Sequence, residues 1–235
     1  MNSINKIKNE LKKLTDSEQA KLLQRFFKTG QGQYGEGDIF LGIKVPAQRE
    51  LAKKYQDTPL SDLTMLLQSK IHEHRLVALL IAVQQFSKGD AKKKNEIFKF
   101  FINNSKQINN WDLVDVTVPK TVGYYLLDHP KEIKILYEFA RSKNLWQRRI
   151  AIIATFPLIK NKNFDNTFKI SKILLSDPHD LIHKAVGWML REVGKINQPE
   201  EEKFLQQYYK IMPRTMLRYA IEKFPEKKRL GYLKN

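Results

Sequence analysis

The sequence predicts an all-α protein, an α-solenoid superhelix of HEAT-like helix pairs with a basic concave groove. Three observations carry that prediction. Apolar residues recur at helical spacing along nearly the whole chain. Related segments return at steps of 35 to 37 positions. No alternating run rich in Val, Ile and Thr and bounded by hairpin turns occurs, so no sheet is expected.

The elements follow in order. Ile4, Ile7, Leu11 and Leu14 make the first apolar stripe, and Leu22, Leu23, Phe26 and Phe27 the second. Leu63, Leu66 and Leu67 follow Ser61, a residue type suited to an N-cap. Leu76, Leu79, Leu80 and Val83 carry the next helix to Phe86, and Ile97, Phe98, Phe100 and Phe101 cover a lysine-rich segment. Further stripes hold Ile135, Leu136 and Phe139, then Ile150 to Phe156, then Phe168, Ile170, Ile173 and Leu174. The last run through Val186, Met189 and Val193, then Phe204 and Leu205, then Leu217, Ile221 and Phe224. Breaks are expected at Gly89-Asp90, His129-Pro130, Asp177-Pro178, Gln198-Pro199 and Met212-Pro213.

The repeat shows where a basic residue opens an apolar helix. Arg75-Leu-Val-Ala-Leu, Arg149-Ile-Ala-Ile and Lys184-Ala-Val-Gly-Trp share that form. Arg75 to Arg149 spans 74 positions, or two steps of 37, and the midpoint is Asp112; Arg149 to Lys184 spans 35. In a solenoid, equivalent positions line neighbouring helices on the concave face. Residues 111 to 115, 149 and 184 to 188 are therefore expected there.

Composition narrows the function. The 235 residues are 42% hydrophobic and 29% charged, which excludes a disordered chain, and no apolar run reaches a membrane span. A single domain over 1–235 is expected. Cysteine is absent, which excludes thiol catalysis and cysteine-ligated metal sites. The lysine-rich segment Met1 to Asp16 lacks the apolar core of a signal peptide, so a cytoplasmic protein is expected. Lys and Arg total 42 against 25 Asp and Glu, a net charge of +17. Such a surface suits a polyanion, with nucleic acid the first candidate.

Individual motifs have plain as well as functional readings. Gly30-Gln-Gly32-Gln-Tyr-Gly35 matches the G-x-G-x-x-G string, but a helix precedes it and Glu36 and Asp38 follow, so it reads as a flexible loop rather than a dinucleotide site. His72-Glu-His74 is expected in a turn, and His179 and His183, four apart, lack the carboxylates of a metal site. Trp111 and Asp115 are i and i+4 and share a helix face. Asp112 reads as a first-turn acid. Asp115 fits either a salt bridge to a neighbouring arginine or a catalytic carboxylate. In Trp146-Gln-Arg148-Arg149 the two arginines point about 100° apart, and the helix step favours Arg149. Trp188 suits a helical core, while Gly187 beside it implies close approach by something, another helix among the candidates.

Four blocks carry a family resemblance: Phe40-Leu-Gly-Ile43-Lys-Val-Pro46, Trp111-Asp-Leu-Val-Asp115, Trp146-Gln-Arg-Arg149 and Lys184-Ala-Val-Gly-Trp188-Met-Leu-Arg-Glu192. The chain resembles the AlkD-type DNA alkylation repair glycosylases, built from HEAT-like repeats, from about Phe26 to about Gly194. The resemblance implies a groove that binds duplex DNA. It implies hydrolysis of the N-glycosidic bond of cationic N3- and N7-alkylated purines, such as 3-methyladenine and 7-methylguanine. It makes Asp115 the catalytic carboxylate, Trp111 and Trp188 its aromatic companions and Arg149 the arginine beside them. Arg148, Lys184, Arg75 and Lys44 are expected at DNA phosphates. No cofactor or metal is implied, and the partner is double-stranded DNA with alkylated bases, bound by a monomer without an obligate protein partner. Two departures stand out: Asn110 occupies a position where many relatives carry a second tryptophan, and the loop from Thr29 to Ile39 reads as an insertion. The alternative is a non-catalytic HEAT-like module that binds damaged or branched DNA; a pure binder has no reason to keep a carboxylate such as Asp115 facing phosphates.

Overall fold

A computed structural model describes residues 3–234; Met1, Asn2 and Asn235 lie outside the described residues. The protein is all-α. Among the described residues there is no strand, only an isolated bridge between Ile39 and Ile71. No helix among them is long and apolar enough to cross a membrane. The chain divides into two compact units, Met1–Thr121 and Val122–Asn235.

The first unit holds α1 (Ser3–Lys13), α2 (Ser17–Phe26), α3 (Val45–Lys54), α4 (Leu60–Leu67), α5 (His72–Lys88), α6 (Ala91–Asn103) and α7 (Trp111–Thr117). α5 is its central rod, buried along nearly all of its length and packed by α3, α4, α6 and α7. The lysine-rich α6 buries Ile97, Phe98, Phe100 and Phe101 on one face, as its pattern predicts. The second unit holds α8 (Tyr124–Asp128), α9 (Lys134–Ala140), α10 (Leu145–Ile153), α11 (Phe156–Lys160), α12 (Asp165–Ile173), α13 (Asp180–Ile196), α14 (Gln198–Tyr208), α15 (Arg214–Ala220) and α16 (Glu226–Leu233). Here α13 is the central rod, packed by α10, α11, α14 and α15. A single π-helical turn, Pro119–Gly123, joins α7 to α8.

Several local expectations are corrected. Ser61 does not cap α4; Pro59 precedes the first turn, with its fixed φ set for helix entry. His72 to His74 form the first turn of α5 rather than a free turn, because Ile71 pairs with Ile39 and helix begins at once. The stripe Ile150 to Phe156 is broken at Ala154 and Thr155, where α10 ends and Pro157 starts α11. Gly187 lies where a Cβ would meet the Met216 carbonyl oxygen and, at 2.5 Å, Tyr219 Cβ, so it is the close approach of α15 that demands glycine.

The repeat is visible as a recurring helix entry. Ahead of α5, the Ser69 hydroxyl accepts the Ile71 N–H at 3.1 Å, and the Ser69 carbonyl accepts Arg75 Nη1 at 2.7 Å. Ahead of α10, Ser142 accepts the Asn144 N–H at 3.0 Å, and its carbonyl accepts Arg148 Nη1 at 3.0 Å. Ahead of α13, Asp177 accepts the His179 N–H at 2.9 Å, and its carbonyl pairs with His183 Nε2 at 2.5 Å. Each entry joins residue i to i+2 and i+6. It satisfies polar groups that the start of a helix leaves open. The true equivalents are thus Arg75, Arg148 and His183, so the register that pairs Arg75 with Arg149 is one residue off.

Glu201 of α14 is buried to 1% exposure against α13, at Gly194, where a Cβ would collide with its carboxyl. Burial, reinforced by Glu202, pushes its pKa up to about 9 despite Arg191. The folded protein then holds a proton that the unfolded chain releases above about pH 4.5. Stability therefore falls as pH rises from there toward 9. Glu201→Gln is expected to raise stability at pH 7 by about 1–3 kcal/mol, the scale of a desolvated polar group, and to change nothing at pH 4. Urea denaturation at the two pH values checks this.

Candidate active site

Asn110 ends the extended approach to α7 and caps it, its Oδ1 accepting the Trp111 N–H at 2.8 Å. The helix then sets Trp111 and Asp115 one turn apart, both half-buried. Trp111 stacks on Phe27 at 5.2 Å, and Phe27 stacks on Phe40 at 4.9 Å. Phe26 meets Trp111 edge-on at 5.9 Å yet remains 63% exposed, and Leu22 one turn earlier is 52% exposed. The stripe expected to bury Leu22 and Phe26 is therefore split: α2 turns Ala20 and Leu23 toward Phe27 and leaves Leu22 and Phe26 to solvent beside Trp111. Their chain neighbours Lys21, Arg25 and Lys28 are exposed.

The loop expected to be flexible is folded on itself. Gln33 accepts the Gly30 N–H at 3.0 Å, Glu36 accepts the Gly32 N–H at 2.9 Å, and Tyr34 accepts Trp111 Nε1–H at 3.3 Å. Its end is anchored through Asp38, which is buried and accepts Arg75 Nη2 at 2.7 Å and Asn110 Nδ2 at 3.4 Å. His72, also buried, stands between Asp38 (3.6 Å) and Asp112 (2.8 Å). Burial pushes the Asp38 carboxyl up, but His72, Arg75 and Asn110 outweigh it and hold it below the usual carboxylate range.

The Phe40–Pro46 block has a structural explanation. The buried Glu73 carboxylate accepts the N–H groups of Leu41 (2.9 Å), Gly42 (2.9 Å) and Ile43 (3.2 Å). Gly42 has φ +84° and a backbone so close to Asp16 that no Cβ fits.

In the second unit, Arg149 is buried on α10 and donates from Nη1 to the Leu181 carbonyl at the start of α13. Trp188, half-buried farther along α13, donates Nε1–H to Glu192 at 3.3 Å and lies 6.2 Å from Phe156. Lys160 and Lys195 flank Glu192 at 3.1 and 2.5 Å; burial pushes its carboxyl up, and the two lysines outweigh burial and hold it low.

The four basic residues expected at phosphates stand differently. Lys44 is exposed ahead of α3. Lys184 is half-buried and pairs with Asp180 at 2.6 Å, an i,i+4 pair of the weak surface kind. Arg148 is spent on Asp177 (2.5 Å) and on the carbonyls of Ser142 and Lys143. The phosphate role of Arg75 is corrected: at 3% exposure its guanidinium closes the turn at Ser69 and pairs with Asp38. The one-residue register difference turns it about 100° toward its own turn. Sequence reasoning missed Phe26 and Tyr34 as neighbours of Trp111. A run of Leu22, Leu23, Phe26 and Phe27 at the end of a ten-residue helix was the available signal, being wider than one buried face requires.

Among the described residues no group of His, Asp and Glu could hold a metal ion. The geometry defines an all-α protein whose half-buried carboxylate and indoles lie on helices of a basic molecule. The fold matches solved structures, among them these three. The "predicted DNA alkylation repair enzyme" of Enterococcus faecalis superposes with a TM-score of 0.71 at 21% identity, over 90% of this chain and 97% of that one. AlkD2 from Streptococcus mutans gives 0.56 at 18%, over 88% and 97%. The smu.31 protein of Streptococcus mutans UA159 gives 0.55 at 18%, over 95% and 100%. No curated protein matches the chain by sequence. The model of one family, described as DNA alkylation repair enzyme, matches residues 7–224, across both units. The chain belongs to that family.

Glu73→Ala strands the buried N–H groups of Gly42 and Ile43 and the part-buried one of Leu41, and is expected to lower stability by about 3 kcal/mol. Amide exchange at Leu41, Gly42 and Ile43, together with chemical denaturation, reads the effect.

Proposed function

We propose that the protein is a DNA glycosylase that hydrolyses the N-glycosidic bond of N3- and N7-alkylated purines in duplex DNA. The observation that carries this reading is the pairing of Trp111 and Asp115 one turn apart on α7, in a chain of the DNA alkylation repair enzyme family, beside exposed Phe26. Support also comes from a net charge of +17, suited to a duplex partner.

The chemistry asks little of the protein. An alkylated purine carries positive charge and departs without protonation, so no general acid is needed. As the bond breaks, positive charge spreads onto the deoxyribose. An ionised Asp115 beside that sugar stabilises the charge and holds the attacking water. At about 4 Å and an effective dielectric near 20, one such pair contributes up to about 4 kcal/mol. Only the part that grows in the transition state accelerates the reaction; the full amount corresponds to about a thousandfold. Trp111 and Trp188 present indole faces to a cationic base or sugar, each contributing about 0.5–2 kcal/mol. The family resemblance gives Arg149 a phosphate to hold, a role suited to a planar guanidinium. Lys44 and Lys184 serve the DNA backbone. The reading is of a cytoplasmic monomer acting as a single domain without cofactor.

Asp115→Asn is expected to abolish most excision of 7-methylguanine from a defined duplex while affinity for undamaged DNA changes less than twofold. Equal loss of both sinks the catalytic assignment, and tight binding without excision by the wild type makes the protein a non-catalytic binder. Affinity is expected to fall steeply between 50 and 200 mM salt as bound counterions are released; a flat response in a salt titration counts against a phosphate-binding surface.

A further inference from the structure

Helix α7 begins unlike α5, α10 and α13. Ser105 stands 36 positions after Ser69 and 37 before Ser142, in the series Ser69, Ser142 and Asp177 after which α5, α10 and α13 start three residues later. At this step the helix starts only at Trp111, after the cap Asn110, and position i+6 holds that tryptophan rather than Arg or His. The i+6 side chain that closes the turn elsewhere is here aimed at Tyr34, so the start of α7 must be held by other groups.

Those groups are buried polar side chains of the same unit. His72 Nε2 is 2.8 Å from Asp112 Oδ2, in the first turn of α7, and Asp112 Oδ1 accepts the Leu113 N–H at 2.8 Å. His72 Nδ1 is 3.6 Å from Asp38 Oδ2, the anchor of the loop that carries Tyr34, and has no other partner. Asp38 reaches α7 a second time through Asn110. Phe40 stacks on the His72 ring at 4.5 Å, and Phe27 lies 5.2 Å away. Phe27 is also the ring on which Trp111 stacks.

We propose that His72 is a positioning residue: clamped between Asp38 and Asp112, it sets the first turn of α7 and so aims Trp111 and Asp115 at the substrate. The inference deepens the glycosylase reading and rests on it for its kinetic arm. The charged groups that face His72 are Asp38, Asp112 and Arg75. Its chain neighbours Glu73 and His74 turn instead to the amides of Leu41, Gly42 and Ile43 and to Ser69. With His72 protonated the four charges cancel. Burial pushes the imidazole pKa down, but Asp112 and Asp38 outweigh burial and Arg75 and hold it above the ordinary value. The clamp is therefore complete below that raised pKa and weakens as pH rises through it, when Nδ1 turns a lone pair toward Asp38.

The test uses the full chain labelled with 5-fluorotryptophan, whose three indoles give three fluorine resonances, with Trp111 assigned from Trp111→Phe. In both His72→Gln and Asp112→Asn, the Trp111 resonance is expected to shift or broaden while those of Trp146 and Trp188 stay. Single-turnover release of 7-methylguanine is expected to fall at least tenfold with affinity for undamaged duplex within twofold. The wild type is expected to lose activity as pH rises through the raised His72 pKa, along a limb that His72→Gln lacks. An unchanged Trp111 resonance in folded variants overturns the proposal, as does loss of excision and duplex affinity in equal proportion. If His72→Gln does not fold, Asp112→Asn, which keeps the shape and removes one charge, decides alone. If the wild type releases no base, the glycosylase reading fails, and the fluorine spectra still decide whether His72 sets α7.

Discussion

The structure depends on how the starts of α5, α10 and α13 are closed. A helix leaves its first four N–H groups without internal partners, and the approaching turn has carbonyls to satisfy as well. Ser69, Ser142 and Asp177 solve both needs with one motif, a side-chain acceptor for residue i+2 and a carbonyl acceptor for the side chain at i+6. The solution uses arginines that a basic protein would otherwise offer to its ligand. It also makes α5, α10 and α13 begin alike, which is what a repeat means physically.

The exception is α7, where the candidate carboxylate lies. Local rules agree along most of a folded chain, and the places where they fail tend to be strained or functional. At α7 the late start and the tryptophan at i+6 both depart from the pattern. The departure leaves Trp111 half-buried, between the stacked ring of Phe27 and the exposed ring of Phe26. Its compensation is electrostatic: a buried cluster of two aspartates, a histidine and an arginine. Such a cluster is a weak source of stability, because removing charges from water costs about as much as their attraction returns. Its value lies in specifying one arrangement of the loop and helix. Glu73 acts in the same way on Leu41, Gly42 and Ile43, since one carboxylate satisfies three adjacent donors that no helix or sheet would.

The helices were legible in the sequence because apolar spacing is a local property. The buried faces of α1, α6 and α13 follow their stripes, and most Gly and Pro breaks fall between elements. Gly187 was legible as well, since glycine inside an apolar helix has few other uses. Register was harder. A repeat of 35 to 37 positions tolerates a shift of one residue when the matched letters are Arg75, Arg148 and Arg149, and one residue rotates a side chain by about 100°. That shift separates a groove residue from a buried turn residue, as the corrected place of Arg75 shows.

By itself the sequence determined the helical class, the repeat, the basic balance and the pairing of Trp111 with Asp115 on one turn, all of which follow from composition and short-range spacing. The tertiary structure decided which charges are available. Arg75, Arg148, Asp38 and His72 look as polar and as exposed in sequence as Lys44, yet the first four are drawn into turns and buried pairs by partners 29 to 40 positions away or by their own turns. It also decided that the glycine-rich loop is an ordered neighbour of Trp111, because the hydrogen bond from Trp111 to Tyr34 joins residues 77 positions apart. Contacts at such separations depend on how helices pack, and no local pattern encodes them.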